Sequence, residues 1–327
     1  MPGQEESHVT SPTGPSLPRA RGVLSAGVTG YLRDEGALPD PDAARNAEPY
    51  GDDLQLALYV CYELHYRGFD GVRPELEWDP PLLAVRAAME DRFLTALRHD
   101  APVESSLDEV LDGLLVEPVR GTGVSWFLQD RGELRHLREY AAQRSLYHLK
   151  EADPHAWVLP RLSGRAKAGM AAIEYDEFGG GRADRVHAQL FADLMTDLGL
   201  DTAYGRYLDE GCAPMLTLVN LMSLFGLHRR LRGALVGHFA AVEITSSPAS
   251  RRLADAMKRT GAGPAAEFFY TEHVEADAVH EQVVRRDVIG GLLEDEPGLA
   301  ADIAFGITAT SFVEDRLGDR LLTDWQA

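Results

Sequence analysis

Three residues with metal-binding side chains, His273, Asp277 and His280, follow one another at spacings of four and three in the run FFYTEHVEADAVHEQVV. On a helix turning about 100° per residue they fall within about 60° of one another, so two imidazoles and a carboxylate share one narrow stripe. Phe269, Val274, Ala276, Val279 and Val283 flank the stripe and predict a buried or half-buried face. Such polar groups are unfavourable in an apolar groove unless they coordinate something. Glu272, Glu275 and Glu281 nearby support the opposite reading, an acidic solvated face.

One helix cannot complete a metal site, so other inward-facing donors are needed. In IEYDEFGGGRADRVHAQLFADLM, Glu177 precedes Gly179, Gly180 and Gly181, and His187 follows ten residues after Glu177. On a straight helix that separation leaves the two about 80° out of register, so the glycines or a π-bulge must re-aim Glu177. Glu174 and Asp184 are rival donors; by itself the triplet reads as a turn between helices and His187 as a packed core histidine. Glu243 is the third contribution, on a helix that also carries Phe239, Ala240, Val242 and Ile244. A structural salt bridge is the competing fate for such an acid. Together Glu177, Glu243, Asp277, His187, His273 and His280 nearly balance two divalent ions once an oxide or hydroxide bridge is counted. Imidazole and carboxylate ligands without soft sulfur suit iron or manganese. A ferritin-like site needs Glu-x-x-His twice, and the chain has that pattern only at Glu133/His136 and at Glu5/His8, which disfavours it.

The elements that must position these groups read as helices. Acidic starts, apolar residues at helical spacing and glycine stops predict helices from 53 and near 79–99, 104–115, 131–151, 161–176, 182–198, 214–226, 229–245, 249–260, 264–294 and 297–315. Asp79, Ser105 and Asp153 are expected caps, and Pro80, Pro248, Pro264 and Pro297 are expected near helix starts. The one β-like run, GTGVSWFLQ at 121–129, predicts a hairpin arm or a loop. Gly233 and Gly237, four apart, clear a stripe for close approach by a neighbouring helix. The expectation is therefore an all-α bundle: a disordered leader over 1–50, rich in Pro and Gly, then a single helical domain over 51–327. Within it, 51–150 supplies the opening helix and an extra helical layer, 151–295 the metal-binding core and 296–327 a C-terminal helix. Residues 70–150 exceed what a compact bundle requires and are read as a further layer, a lid or a homodimer surface.

Composition narrows the function. With 32 Lys and Arg against 52 Asp and Glu, the net charge is −20, which argues against nucleic acid or an anionic membrane as the main partner. No apolar stretch is long enough for a membrane span. The two cysteines, Cys61 and Cys212, are too few for a disulfide framework or a thiolate metal site, and point to a reducing cytoplasm. No nucleophile elbow, P-loop or dinucleotide fingerprint is present.

The segments EFGGG-x5-H (Glu177 to His187), GHFAAVEITSS with Glu243, and HVEADAVHE with His273, Asp277 and His280 resemble the haem-oxygenase-like dimetal oxidases, many of them described as iron-containing redox enzymes. YVCYELHYRGF at 59–69 resembles their opening segment, and the likeness runs over about residues 55–290. It implies a haem-oxygenase-like helical bundle with additional N-terminal helices, holding two Fe(II) ions per chain, or Mn, between its core helices. It further implies O2 as co-substrate, a peroxo-diferric oxidant, a small organic substrate (fatty acid, amino acid or amine) and an external electron donor. By position, Glu177, His187 and His280 would serve one ion, and Glu243, His273 and Asp277 the other, with Glu63 and Glu174 in reserve. Phe178, Phe191, Phe239, Phe269 and Tyr270 would wall the pocket, and Arg182 or Arg185 would pair with a substrate carboxylate. Two rival readings are a haem protein of the same fold, which would not need the carboxylates, and a non-catalytic helical scaffold.

Overall fold

A computed structural model describes residues 14–326. Among these residues the regular elements are all helical. In chain order the α-helices are α1 (Val23–Leu32), α2 (Pro41–Asn46), α3 (Asp52–Glu63), α4 (Pro80–Asp100), α5 (Leu107–Leu114), α6 (Val124–Arg131), α7 (Leu134–His148), α8 (Asp153–Ala156), α9 (Gly164–Glu177), α10 (His187–Asp197), α11 (Ala213–Leu227), α12 (Arg232–Thr260), α13 (Pro264–Val283), α14 (Gly290–Asp295) and α15 (Ala300–Gln326). A single π-helical turn, Val284–Ile289, joins α13 to α14. The all-α expectation holds.

The core forms around α11 and α12. Every residue of α11 from Met215 to Gly226 is buried, and the side-chain nitrogen of Asn220 donates to the backbone and side-chain oxygens of Gln55 on α3 at 2.7 and 2.8 Å. An apolar helix buried on all sides fits a bundle centre. None of the helices among the described residues is long and apolar enough to cross a membrane. The glycine stripe on α12 meets its counterpart on α15: a Cβ on Gly237 would run into the Ile303 carbonyl, and one on Gly306 into the Ala234 carbonyl. The two backbones therefore touch, which holds α12 and its Glu243 in one register.

Five expectations are corrected. The leader read as disordered over 1–50 is ordered from residue 14, and its first thirteen residues lie outside the described part. Leu24, Val28 and Leu32 of α1 bury against the core. The Asp53 carboxylate accepts the Leu24 and Ser25 N–H groups at 2.9 and 2.8 Å, capping α1 from α3. The prolines and glycines here separate short helices that borrow their burial from the rest of the chain. The β-like run at 121–129 forms most of α6, whose glycines lie at its edges. Helices read as separate over 229–245 and 249–260 are one, with Pro248 inside it; packing of both halves against α13 outweighs one missing N–H donor. The cap expected at Ser105 is Ser106, paired with Glu109 in a capping box, and Asp153 is the first residue of α8 while Ala152 precedes it.

Candidate metal centre

The six residues singled out in the sequence converge. Glu177 ends α9, His187 begins α10, Glu243 lies midway along α12, and His273, Asp277 and His280 line one side of α13. All six are buried. The glycine triplet solves the register problem by reversing the chain: Gly179, Gly180 and Gly181 all hold positive φ, at 72°, 61° and 82°, and only glycine takes up three such residues without strain. At Gly179 an added Cβ would also lie 2.6 Å from the Val186 nitrogen. This tight turn brings Glu177 Oε2 to 2.7 Å from His187 Nδ1.

A seventh residue, Glu151, joins them from the turn between α7 and α8. Two groups emerge whose donor atoms all lie within 4.8 Å of one another: Glu151, Glu177, His187 and His273; and Glu177, Glu243 and His280. Glu177 is common to both, so the two groups abut. The partition expected from the resemblance is thereby rearranged: His273 stands with His187, and Glu243 with His280, whose Nδ1 is 3.1 Å from Glu243 Oε2. Asp277 lies next to the second group, 3.7 Å from His280 Nδ1.

The donor atoms are oriented and unsatisfied. His273 Nδ1–H donates to the Phe269 carbonyl at 2.7 Å, which fixes the ring and leaves Nε2 as a lone-pair donor, as in metal-ligating histidines. That Nε2, Glu151 Oε2 and Asp277 Oδ2 are buried without a hydrogen-bond partner, whereas His187 Nδ1 has the Glu177 carboxylate beside it. Buried polar atoms are paired in the great majority of cases, so three unpartnered donors in one place suit a group of residues that could hold a metal ion. His148 Nδ1 holds the other Glu151 oxygen at 2.7 Å. Four carboxylates, Glu151, Glu177, Glu243 and Asp277, match the charge of two divalent cations, and with three imidazoles they form the hard, mixed donor set that iron or manganese prefers. The residues fit two such ions.

The protonation pattern reflects a concentrated negative field. Burial alone would lower His187, yet the Glu177 carboxylate beside it, aided by Glu151 and Asp277, pushes it up to about 9. His280 is raised in the same way by Glu243 and Glu177 against the effect of burial. Burial raises Glu243 and Asp277. Burial also acts to raise Glu151, but His148, His273 and His187 outweigh it and hold the carboxyl low. A cation placed here would replace protons that the cluster now retains.

The reserve residues separate. Glu174 is buried one turn before Glu177 with both oxygens unpartnered; burial and the Glu177, Glu243 and Asp153 carboxylates push it up to about 9. Glu63 is not part of the centre: Lys150 Nζ and Tyr204 Oη donate to its two oxygens, each at 2.7 Å. Asp184 is exposed and pairs with Arg182. A cavity of about 410 Å³ opens on the cluster, and Phe239, Phe269 and Tyr270 line it as expected. Phe178 and Phe191 do not; Phe191 packs edge-on against Phe269 in the core. Arg182 and Arg185 lie outside the lining, and Arg144 and Arg252 occupy it instead.

A model of the family described as iron-containing redox enzymes matches residues 138–315, a span that contains all seven residues of the cluster. The chain is also similar to the nitrosourea synthase of Streptomyces achromogenes subsp. streptozoticus, 25% identical over 174 residues. The match covers 53% of this chain and 37% of that relative, so the chain spans little more than a third of its length.

Proposed function

The chain belongs to the family of iron-containing redox enzymes, and we propose that it is a non-haem diiron oxidase or oxygenase that uses O2 on a small organic substrate. The supporting observation is the pair of abutting donor groups, with unpartnered buried atoms on Glu151 and His273 in the first and on Asp277 beside the second. Glu151, Glu177, His187 and His273 would hold one iron, and Glu177, Glu243 and His280, with Asp277 beside them, the other. Manganese is the alternative metal for the same donors. When bound, two ferrous ions supply the electrons that O2 needs to become an oxidant.

The protein's own part is orientation and exclusion. The Phe269 carbonyl fixes the His273 ring, His148 fixes Glu151, and the glycine turn fixes Glu177 against His187. The apolar side chains of Phe239, Phe269, Val242 and Met222 in the cavity wall keep bulk water from the reacting groups. The reactions to screen are nitrogen oxidation, oxidative decarboxylation and carbon–carbon cleavage, with nitrogen-containing substrates first because a relative is named nitrosourea synthase. The reading includes an external electron donor, a second copy of the chain as a partner, and a reducing cytoplasm for the free thiols of Cys61 and Cys212.

The test is metal content and absorption of protein loaded anaerobically with ferrous iron and then exposed to O2, beside a His273→Ala/His280→Ala variant. Two irons per chain and a transient visible band, both lost in the variant, are expected. Absence of iron uptake by the unaltered protein would overturn the proposal.

A further inference from the structure

Asp176 immediately precedes Glu177 in the last turn of α9 and stands outside both donor groups. Its side chain is 59% exposed, yet Oδ2 lies 3.3 Å from His280 Nε2. His280 itself is only 2% exposed, so a buried imidazole of the candidate centre finds its outer partner at the protein surface. The opposite nitrogen, Nδ1, faces inward: Glu243 Oε2, Asp277 Oδ1 and Glu177 Oε1 stand 3.1, 3.7 and 3.8 Å from it. Two successive acids of α9 therefore take the two sides of one ring, Asp176 at Nε2 and Glu177 at Nδ1.

The two nitrogens are not interchangeable. A cation at Nδ1 meets three buried carboxylates, whereas at Nε2 it would meet one exposed carboxylate in competition with water. The proton that a cation displaces is thus the one on Nδ1, and Nε2 keeps its hydrogen for Asp176. His273 is arranged the other way round, with Nδ1–H given to the buried Phe269 carbonyl and Nε2 left as the donor. A neutral carbonyl only fixes a ring; a carboxylate fixes it and adds negative charge, which makes the imidazole a stronger donor. Resting on the diiron reading above, we propose that Asp176 is a positioning residue for the ion of the second donor group. It holds the His280 ring with Nδ1 toward Glu177 and Glu243 and strengthens that nitrogen as a ligand. The ion held there thereby answers to a side chain that solvent reaches, whereas the carbonyl that orients His273 is internal.

The experiment is equilibrium dialysis of cobaltous ion against the metal-free protein and its Asp176→Asn and Asp176→Ala variants, with proton NMR of the loaded samples. The unaltered protein is expected to bind two cobaltous ions per chain. Asp176→Asn, which keeps an acceptor oxygen and loses the charge, should weaken one of them about tenfold, and Asp176→Ala by up to about a hundredfold, with the other ion unchanged. The paramagnetic ion shifts the ring N–H signals of its histidine ligands far from the ordinary range. The signal of His280, assigned by its absence in His280→Ala, should move in Asp176→Asn and exchange with water faster in Asp176→Ala. Since Asp176 is exposed, the metal-free variants are expected to melt with the unaltered protein, which separates loss of metal from misfolding. The proposal falls if both variants bind as the unaltered protein does, if both ions weaken alike, or if the His280 signal stays in place. Two tightly bound ions indifferent to Asp176 sink the role of Asp176 alone, whereas failure of the unaltered protein to bind cobalt sinks the dimetal centre beneath it.

Discussion

Lys150 and Glu151 are neighbours in the chain, both buried, and they serve opposite environments. Lys150 Nζ meets Glu63 at 2.7 Å and lies over the rings of Tyr59 and Tyr66 at 4.8 and 4.3 Å, while Tyr204 takes up the other Glu63 oxygen. Each charge there has its counter-charge and its hydrogen bonds. One residue further on, Glu151 faces a cluster where carboxylates outnumber imidazoles and several atoms have no partner. Burial and residue type are alike in the two places; what differs is whether valences are closed. A closed buried pair serves the fold, and an open one waits for a ligand.

The largest expected effect tests the closed side. Lys150→Met leaves Glu63 buried without its cation and should destabilise the protein by about 3–5 kcal/mol, seen as an early melting transition in metal-free protein. On the open side, His273→Ala should lower ferrous or cobaltous affinity at least about a hundredfold, or ~2.7 kcal/mol, in equilibrium dialysis, while the melting point of the metal-free form barely falls. Equal destabilisation of the two metal-free variants would erase the distinction between the regions. His148→Ala sharpens it further, since His148 only orients Glu151: about a tenfold loss of metal affinity is expected, partly restored by a hydrogen-bonding replacement such as His148→Asn.

The smallest effect concerns His155 and His238, whose rings lie 5.2 Å apart beside the cavity. Burial pushes both down to about 3, with mutual repulsion adding for His155. The unfolded chain takes up protons near pH 6.5 and the folded one does not until far lower. Stability is thus undiminished above pH 6.5 and is lost as pH falls below it, by under about 1 kcal/mol per histidine at pH 6. A His155→Phe/His238→Phe variant should show a flatter acid limb in melts between pH 7 and 5; an unchanged limb would mean that these rings titrate as they do in water.

The α13 triplet was legible because its periodicity and its apolar flanks coincide on one element. Glu243 and the Glu177–His187 pair were legible as candidates, but their angular mismatch showed only that something must bend the chain, not that three left-handed residues would do it. Glu151 was missed because it follows the last turn of α7, where helical spacing carries no information; the adjacent His148, Lys150 and Glu151 shortly before Pro154 were the available signal. Glu63 looked equivalent to the true cluster members since an acid on an apolar helix does not reveal its partner, and Lys150 is 87 residues away. The ordering of residues 14–50 escaped for the same reason: the surface that α1 buries belongs to distant elements.

The glycine turn between Glu177 and His187 has a consequence for handedness. At Gly180 and Gly181 an added Cβ would find only the Tyr175 ring, no nearer than 3.8 Å, so space is open and the obstacle to an ordinary side chain there is its chirality, worth about 1–2 kcal/mol. A mirror-image residue reverses that preference. Semisynthetic protein carrying D-alanine at position 180 should keep the turn and gain about 0.4–1 kcal/mol by stiffening the unfolded chain, whereas L-alanine at the same position should lose stability, although the two side chains have identical composition and size.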